Sequence, residues 1–305
     1  MYFRNRRGFS VVELMVVAMV ILLAMAIAFP SLQSARHAAS AKQCQNHLRQ
    51  QALALHNYHD VFNCFPAAWY ARHPHFTDER WTGWQVAILP FVDQAPLYQS
   101  MIVNTERGRL QPEWPTDDQL AMTKLAIYRC PDDQTGDTNP FRGGFGTSNY
   151  SGNYGRQPLA IWTDGRTSQH WPGAVESWPM KELLARKTGR GIFQLNSCTG
   201  FRDILDGTSN TIAVGERSVT SGAGLWIGVQ SSAFPNDVVT DSHHTSGINR
   251  SFTGWSSAHE GGTFFMLADG AVRMVSEDLD SNLEGTGTLQ KLASINDKLP
   301  IFESF

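Results

Sequence analysis

Three residues near the start of the chain, Gly8, Phe9 and Glu13, have the types and spacing for cleavage of the chain and for pairing of a carboxylate with the amine that cleavage would create. Glu13 is a single carboxylate ahead of the apolar run Leu14–Pro30, which contains no charged residue. An ionised carboxylate inside a membrane-spanning helix costs roughly 2.5 to 3.5 kcal/mol, and such groups are usually paired and functional. Cleavage between Gly8 and Phe9 would place a new α-amino group about one helical turn from Glu13. The spacing therefore predicts that Glu13 pairs with an amine, on its own chain or on a neighbouring subunit.

A second set of residues offers oxygen ligands of the kind that calcium prefers. These weak calcium candidates are Asp203, Asp206, Asn210 and Glu216. The run 206–210 is more simply a turn with hydrogen bonds from side chains to the backbone. Calcium aside, we expect no cofactor and no metal.

His259 and the pair Asp269-Gly270 could form a metal or catalytic pair. The simpler interpretation is that Asp269-Gly270 makes a turn and that His259 caps or packs at the start of a hairpin. The adjacent residues His243 and His244 would point to opposite sides of an extended strand, so they rarely bind one ion together. We expect a solvent-exposed loop there.

The sequence gives little support for catalysis. It contains no G-x-S-x-G, H-E-x-x-H, Walker or dinucleotide-binding motif, so we expect no enzyme. An aromatic set could stack on sugar rings, although half or more of such tryptophans are expected in the core. Its members are Trp162, Trp171, Trp178, Trp226 and Trp255, of which the first three are the weak ligand candidates.

Four cysteines are present without C-x-x-C spacing, which argues against a zinc or redox motif. If the body is exported, disulfides are chemically feasible, and four cysteines allow three full pairings. Buried free thiols are the alternative. The four are Cys44, Cys64, Cys130 and Cys198.

The composition limits the classes of function. The formal net charge of −3 over 305 residues gives no basic surface of the kind that nucleic-acid binding needs. The 14 prolines, 26 glycines and nine tryptophans indicate a loop-rich, β-rich body rather than a helical bundle.

The N-terminal region is predicted to hold a membrane anchor. A leader, residues 1–8, carries three arginines that should stay cytoplasmic. The apolar run that follows is close to the roughly 20 residues that cross a bilayer. It is too long for a cleaved secretory signal. A plain signal anchor fits the arginines but does not explain Glu13. A buried helix of a soluble protein is the weakest alternative, because no polar residue interrupts the run Leu14–Phe29 to form a second face.

The elements that position these residues are a long helix and a β-rich body. The helix is predicted over 9–62, with a transmembrane or assembly half, 9–30, and an amphipathic half, 31–62, after Pro30. The body, 63–305, should be an α+β arrangement in which the pilin-type helix packs on a loop-rich body with an antiparallel sheet.

Within the body, local patterns predict particular segments. Asp203–Glu216 should be a turn followed by a strand. Phe264–Val275 should be a hairpin with a two-residue type I′ turn at Asp269-Gly270. Leu125–Pro131 is predicted as a strand that enters a turn, Asn139–Gly155 as a loop, and Gln157–Gly191 as an irregular insertion.

The segment from Gly8 to Glu13 resembles the prepilin cleavage and methylation motif of type IV pilins and type II secretion pseudopilins. The resemblance implies that a membrane prepilin peptidase removes the leader after Gly8, that Phe9 is N-methylated, and that Glu13 aligns subunits in a filament. Pro30 falls where such proteins commonly carry a helix-kinking proline. Ser10 and Val11 stand where Thr and Leu are common, which should not impair cleavage.

Further motifs resemble the DUF1559 family of pseudopilin-like proteins over nearly the whole chain. They are Cys44-x-x-x-Leu48, the run 56–60 before Phe65-Pro66, Leu89-Pro90-Phe91, Cys130-Pro131, the run 203–216, and His259 with Asp269-Gly270. This resemblance implies a pilin-like anchor helix and a large body outside the cytoplasm.

The predicted function is that of a bacterial pseudopilin or pilin-like structural subunit, linked to type II secretion or a surface fibre. Its predicted partners are prepilin peptidase, other pilin-like subunits and the inner membrane. It would cross that membrane once, with its N-terminus cytoplasmic and its body periplasmic or at the cell surface. The alternative is a membrane-tethered module that binds polysaccharide or another envelope ligand.

Overall fold

A computed structural model of the chain shows the fold. The residues that the structure describes are 10–70, 80–101, 114–115, 117–133, 136–156, 190–218, 222–230, 237–242, 247–251, 254–281, 286–301 and 305. The chain divides into two compact units, residues 1–42 and 43–305.

One long helix precedes a body of short helices and strands. Within the described residues, the helices are α1 (Val11–Phe62), α2 (Trp84–Ala87), α3 (Ala95–Met101), α4 (Asp118–Ala121) and α5 (Thr288–Leu292). The strands are β1 (Trp69–Tyr70), β2 (Trp81–Gly83), β3 (Thr138–Asn139), β4 (Phe145–Ser148), β5 (Tyr150–Gly155), β6 (Ile212–Glu216), β7 (Gly224–Leu225), β8 (Gly228–Val229), β9 (Val239–Asp241), β10 (Gly262–Leu267) and β11 (Val272–Ser276). This order confirms the predicted α+β class with a long N-terminal helix and a β-rich body.

The N-terminal part of α1 is an apolar helix with no buried side chain. Residues 10–39 are all exposed, and Pro30 lies inside the helix. By length and composition, α1 could cross a membrane. The core helix of a soluble protein can pass the same test, but it buries most of its apolar surface, whereas the most apolar window of α1 buries none.

The C-terminal part of α1, residues 43–62, belongs to the second unit and contributes to its core. Its buried positions recur at three- and four-residue steps, which is the spacing of one helix face. They are Cys44, Leu48, Gln51, Ala52, Ala54 and Leu55. Gln51 donates a 2.9 Å hydrogen bond to the carbonyl of Ile127. The helix ends at Asn63, whose φ of 58° is the left-handed conformation that often closes a helix.

The largest sheet of the described body has five strands in the order β11-β10-β6-β5-β9. Its pairs are antiparallel except β5 with β9, which is parallel. Two smaller antiparallel sheets have the orders β1-β2-β8 and β3-β4-β7. A buried cluster that includes Trp255, Phe265, Leu289 and Leu292 joins the large sheet to α5.

Two local predictions in the body are wrong. Asn139–Gly155, predicted as a loop, contains β4 and β5, and β5 lies inside the five-stranded sheet. Its polar residues are accommodated because tertiary partners satisfy them: Nδ2 of the Asn153 side chain donates to two buried carbonyls, at 2.7 and 2.8 Å. Leu125–Pro131, predicted as a strand, holds a 3-10 turn at Ala126–Tyr128. Most of the predicted insertion Gln157–Gly191 lies outside the described residues.

The predicted hairpin is present as β10 and β11, but its turn differs from the prediction. A type I′ turn would need positive φ at both Asp269 and Gly270, and only Gly270 has it, at 86°. The Leu267 amide donates to the Ala271 carbonyl at 2.8 Å, so three residues lie between the paired ends. Asp269 instead uses its carboxylate to accept from the Ala271 amide at 2.9 Å.

A disulfide joins Cys64, just after α1, to Cys198, across a sequence separation of 134 residues. We expect the double variant Cys64→Ser, Cys198→Ser to lose about 2 to 5 kcal/mol of unfolding free energy, because the bond restricts a long loop in the unfolded chain. Urea titration of the full chain in detergent, followed by circular dichroism, measures the change. An unfolding midpoint equal to that of the parent chain would contradict this expectation.

Candidate functional site

The start of α1 carries a reciprocal capping arrangement between Ser10 and Glu13. The Val12 amide donates to the Ser10 hydroxyl at 3.3 Å, and the Ser10 amide donates to Oε2 of Glu13 at 3.0 Å. This is a variant of the capping box in which the Ser10 hydroxyl accepts from the second helical residue instead of the third, and it satisfies two otherwise unpaired amide donors at the start of the helix. Glu13 therefore has a local structural role in addition to any role in pairing with an amine. The predicted cleavage residues Gly8 and Phe9 lie outside the described residues.

A second cluster lies in the body and brings together Cys44, Cys130, Glu216 and His259. All four side chains are buried, and one ligand-type atom of each lies within 4.8 Å of the others. The two sulfur atoms are 2.6 Å apart. Nε2 of His259 lies 3.5 Å from the Cys130 sulfur and 3.5 Å from Oε1 of Glu216. These four atoms are therefore close enough together to bind one metal ion.

Four separate segments hold these side chains. Cys44 is on the buried face of α1, and Glu216 is the last residue of β6. His259 precedes β10, and its amide donates to Ser257 at 3.1 Å. The Cys130 amide donates to the side-chain oxygen of Asn149 at 3.0 Å, which fixes the loop after the 3-10 turn. The cluster therefore exists only when helix, loop and sheet are assembled.

The electrostatics of the cluster favour a charged imidazole and make Cys130 the more acidic of the two thiols. Burial alone would lower the pKa of His259, but the Cys130 thiol and the Glu216 carboxylate outweigh it and raise that pKa to about 10. The neighbouring Cys44 thiol lowers the pKa of Cys130 to about 7, against the effect of burial. The pKa of Cys44 is raised, first by its contact with Cys130 and then by burial. Cys130 is thus the stronger candidate for a thiolate.

Asp132 contacts the cluster through the His259 ring. Its Oδ2 lies 3.0 Å from Nδ1 of His259. A carboxylate at one imidazole nitrogen fixes the ring's orientation and directs the other nitrogen, here Nε2, at the two cysteines and Glu216.

The structure gives the predicted calcium ligands different partners. Asp203 accepts from the Gly200 amide at 2.8 Å and so caps the start of the 3-10 turn Phe201–Asp203. Asp206 accepts from the amides of residues 297 and 298, at 2.7 and 2.8 Å. Asn210 is exposed, whereas Glu216 is buried in the cysteine cluster. The contacts of Asp203 and Asp206 are thus with backbone amides.

The structure also places some of the other candidate residues, while the rest lie outside the described residues. His259 does not pair with Asp269, whose carboxylate stays in its own turn. His243 and His244 lie outside the described residues, as do Trp162, Trp171 and Trp178. The remaining two tryptophans of the aromatic set, Trp226 and Trp255, are fully buried.

Comparison with known proteins identifies the family. The model of a family described as a protein of unknown function, DUF1559, matches residues 33–282, and the model of the prokaryotic N-terminal methylation motif matches residues 3–29. The first match covers well over half of the chain. The chain belongs to the DUF1559 family. The methylation motif further shows a type IV pilin-like chain of the kind that prepilin peptidase processes, and α1 is compatible with a single-pass anchor. No curated protein and no solved structure matches the chain.

Sequence reasoning about this DUF1559 protein missed the cysteine cluster. Its members are separated by 86 residues between the two cysteines and by 129 between Cys130 and His259, so no short ligand motif exists. One feature of the sequence could have pointed to the cluster: all four residues fall within segments that resemble DUF1559 motifs. That resemblance did not indicate that they meet.

Proposed function

We propose that this DUF1559 protein is a structural subunit of a pseudopilus or surface fibre, linked to type II secretion or to a related export system. After removal of the leader, subunits would join through the N-terminal part of α1. The body would remain on the outer side of the inner membrane. This role involves no catalytic step by the chain itself.

The supporting observation is the combination of one carboxylate and a fully exposed apolar helix. Glu13 is the only acidic residue before Asp60, and apolar side chains on all sides of the helix are exposed between residues 11 and 32. In a filament, these side chains would pack against the helices of neighbouring subunits. Glu13 would then be removed from water and would require a cationic partner. The Phe9 amine of an adjoining subunit has the required charge.

The capping box supplies a matched pair of variants that separates the charge of Glu13 from its structural role. Glu13→Gln keeps a side chain that can complete the box but removes the charge, whereas Ser10→Ala removes half of the box and keeps the charge. We expect Glu13→Gln to reduce the sedimentable, filamentous fraction of the protein by about tenfold or more, because a neighbour's amine would be buried without a counter-charge. Ser10→Ala should assemble close to the level of the parent chain.

Both variants are to be expressed as full chains together with a prepilin peptidase. Filaments are collected by sedimentation and counted by electron microscopy, and intact mass verifies that both variants are matured. Normal assembly of Glu13→Gln together with loss of assembly in Ser10→Ala would show that Glu13 acts only as a cap. That result would remove the basis for the proposed pairing.

A further inference from the structure

We propose that Cys44, Cys130, Glu216 and His259 form a zinc site that joins α1 to the sheet of the body. The ligand set consists of two sulfur atoms, one imidazole nitrogen and one carboxylate oxygen, all of which are ordinary zinc ligands. Nothing in the family description assigns a metal to this chain.

Two of the distances between ligand atoms match a tetrahedral zinc site, and the distance between the two sulfur atoms is shorter than such a site needs. With metal bonds of about 2.0 to 2.3 Å, neighbouring ligand atoms lie roughly 3.3 to 3.8 Å apart. The His259 nitrogen is 3.5 Å from both the Cys130 sulfur and the Glu216 oxygen, in agreement with that range. The two sulfur atoms, at 2.6 Å, would have to separate by about 1 Å as the ion enters.

The carboxylate of Glu216 provides an independent indication of a ligand. Its side chain is 2% exposed. One oxygen, Oε2, accepts from the Phe264 amide at 3.0 Å and from the Ser257 hydroxyl at 3.1 Å. The other, Oε1, is buried without a hydrogen bond and faces the cluster. The nearest cationic group, Nε2 of His259, is 3.5 Å away, which is too far for a strong hydrogen bond, so a metal ion in the cluster would satisfy this buried oxygen better than the imidazole does.

Asp132 completes the arrangement in the way that zinc-bound histidines usually require. Its contact with Nδ1 leaves Nε2 of His259 as the coordinating atom, from which the incoming ion would displace a proton to solvent. An ion would reach the cluster through a surface cleft lined by residues that include Cys130, Glu216 and Ser257.

A disulfide between Cys44 and Cys130 is the competing arrangement. Such a bond would engage only the sulfur atoms and would leave Oε1 of Glu216 to His259 alone, whose Nε2 lies 3.5 Å away, longer than an ordinary hydrogen bond. Zinc engages all four groups and also offsets the negative charge of a buried carboxylate and buried thiolates. The sulfur–sulfur distance taken alone is closer to that of a disulfide, and the metal is proposed because it alone also engages the imidazole and the carboxylate.

The test uses the full chain, purified in detergent without chelator or reductant from cells that export it. We expect about one zinc ion per chain by elemental mass spectrometry, and two cysteines that react with a maleimide only after denaturation with a chelator. Cobalt added to the zinc-free chain should give the charge-transfer absorption of a cobalt thiolate. A chain without zinc, in which Cys44 and Cys130 are found joined by peptide mapping, would overturn the proposal in favour of the disulfide.

Variants assign the ligands. His259→Ala should lose most of the bound zinc, whereas the double variant Cys64→Ser, Cys198→Ser should keep it, because that pair lies outside the cluster. Asp132→Ala should weaken zinc binding by about 10- to 100-fold, and Asp132→Asn, which retains an acceptor oxygen, should recover part of it. Unchanged zinc content in His259→Ala would also overturn the proposal, and the measurements on the parent chain remain decisive if a variant fails to fold.

Discussion

Asp237→Ala is expected to lower the unfolding free energy of the body by about 3 to 5 kcal/mol, because it leaves a buried arginine without its counter-charge. Asp237 accepts a 2.7 Å hydrogen bond from Nε of Arg142, and both side chains are almost fully buried. Its second oxygen lies 3.3 Å from the amide of Gln230. Denaturant titration of the full chain measures the loss.

A second arginine adds to this expected effect. Arg217 is 1% exposed, and burial followed by the nearby charge of Arg142 lowers its pKa to about 10. The carboxylate of Asp237 opposes these two effects, because its negative charge raises the pKa of Arg217. Burial raises the pKa of Asp237 itself, although Arg142 opposes that shift. Removal of Asp237 therefore reduces the negative charge next to two buried guanidinium groups.

An exposed ion pair supplies the control for Asp237→Ala. Lys124 and Asp137 are 2.8 Å apart, similar to the buried pair, but both side chains are at least half exposed. Lys124→Ala should cost no more than about 1 kcal/mol, because water screens the charge and solvates the partner that remains. Equal losses in the two variants would contradict the role given to burial.

The parts of the fold that sequence alone predicted are those set by local patterns. The charge-free run after Glu13 specifies an apolar helix whatever follows it, and the two β-capable runs on either side of Asp269-Gly270 form a hairpin. Even there, the turn type depended on one residue, since only Gly270 takes positive φ.

The parts that the sequence did not predict depend on partners distant in the chain. Strand β5 consists of Tyr, Ser, Gly and Asn, and it is ordered by contacts that no local pattern contains. A Cβ on Gly152 would lie 2.9 Å from the Phe193 ring, so glycine is required by packing there rather than by a turn. The cysteine cluster is also non-local, because its four segments meet only in the folded body.

Gly8→Ala is expected to leave the whole protein population with its leader attached. The methylation-motif match covers residues 3–29, and the predicted cleavage site within it follows Gly8. Glycine is the residue without a Cβ, so alanine adds a methyl group directly at the bond that the peptidase must bind. Intact-mass measurement of the purified chain distinguishes the full-length form from one that begins at Phe9.

Blocking cleavage at Gly8 should also remove the proposed partner of Glu13. With residues 1–8 retained, the nitrogen of Phe9 is an amide rather than a free amine, so it cannot carry the positive charge that the proposed pairing requires. Three arginines would also remain at the membrane end of α1. Ser10→Ala, on the other side of the cleaved bond, is the control and should mature normally. A Gly8→Ala chain that is fully shortened at Phe9 would contradict processing at this position, whereas an unprocessed chain that still assembled would show that the free amine is dispensable.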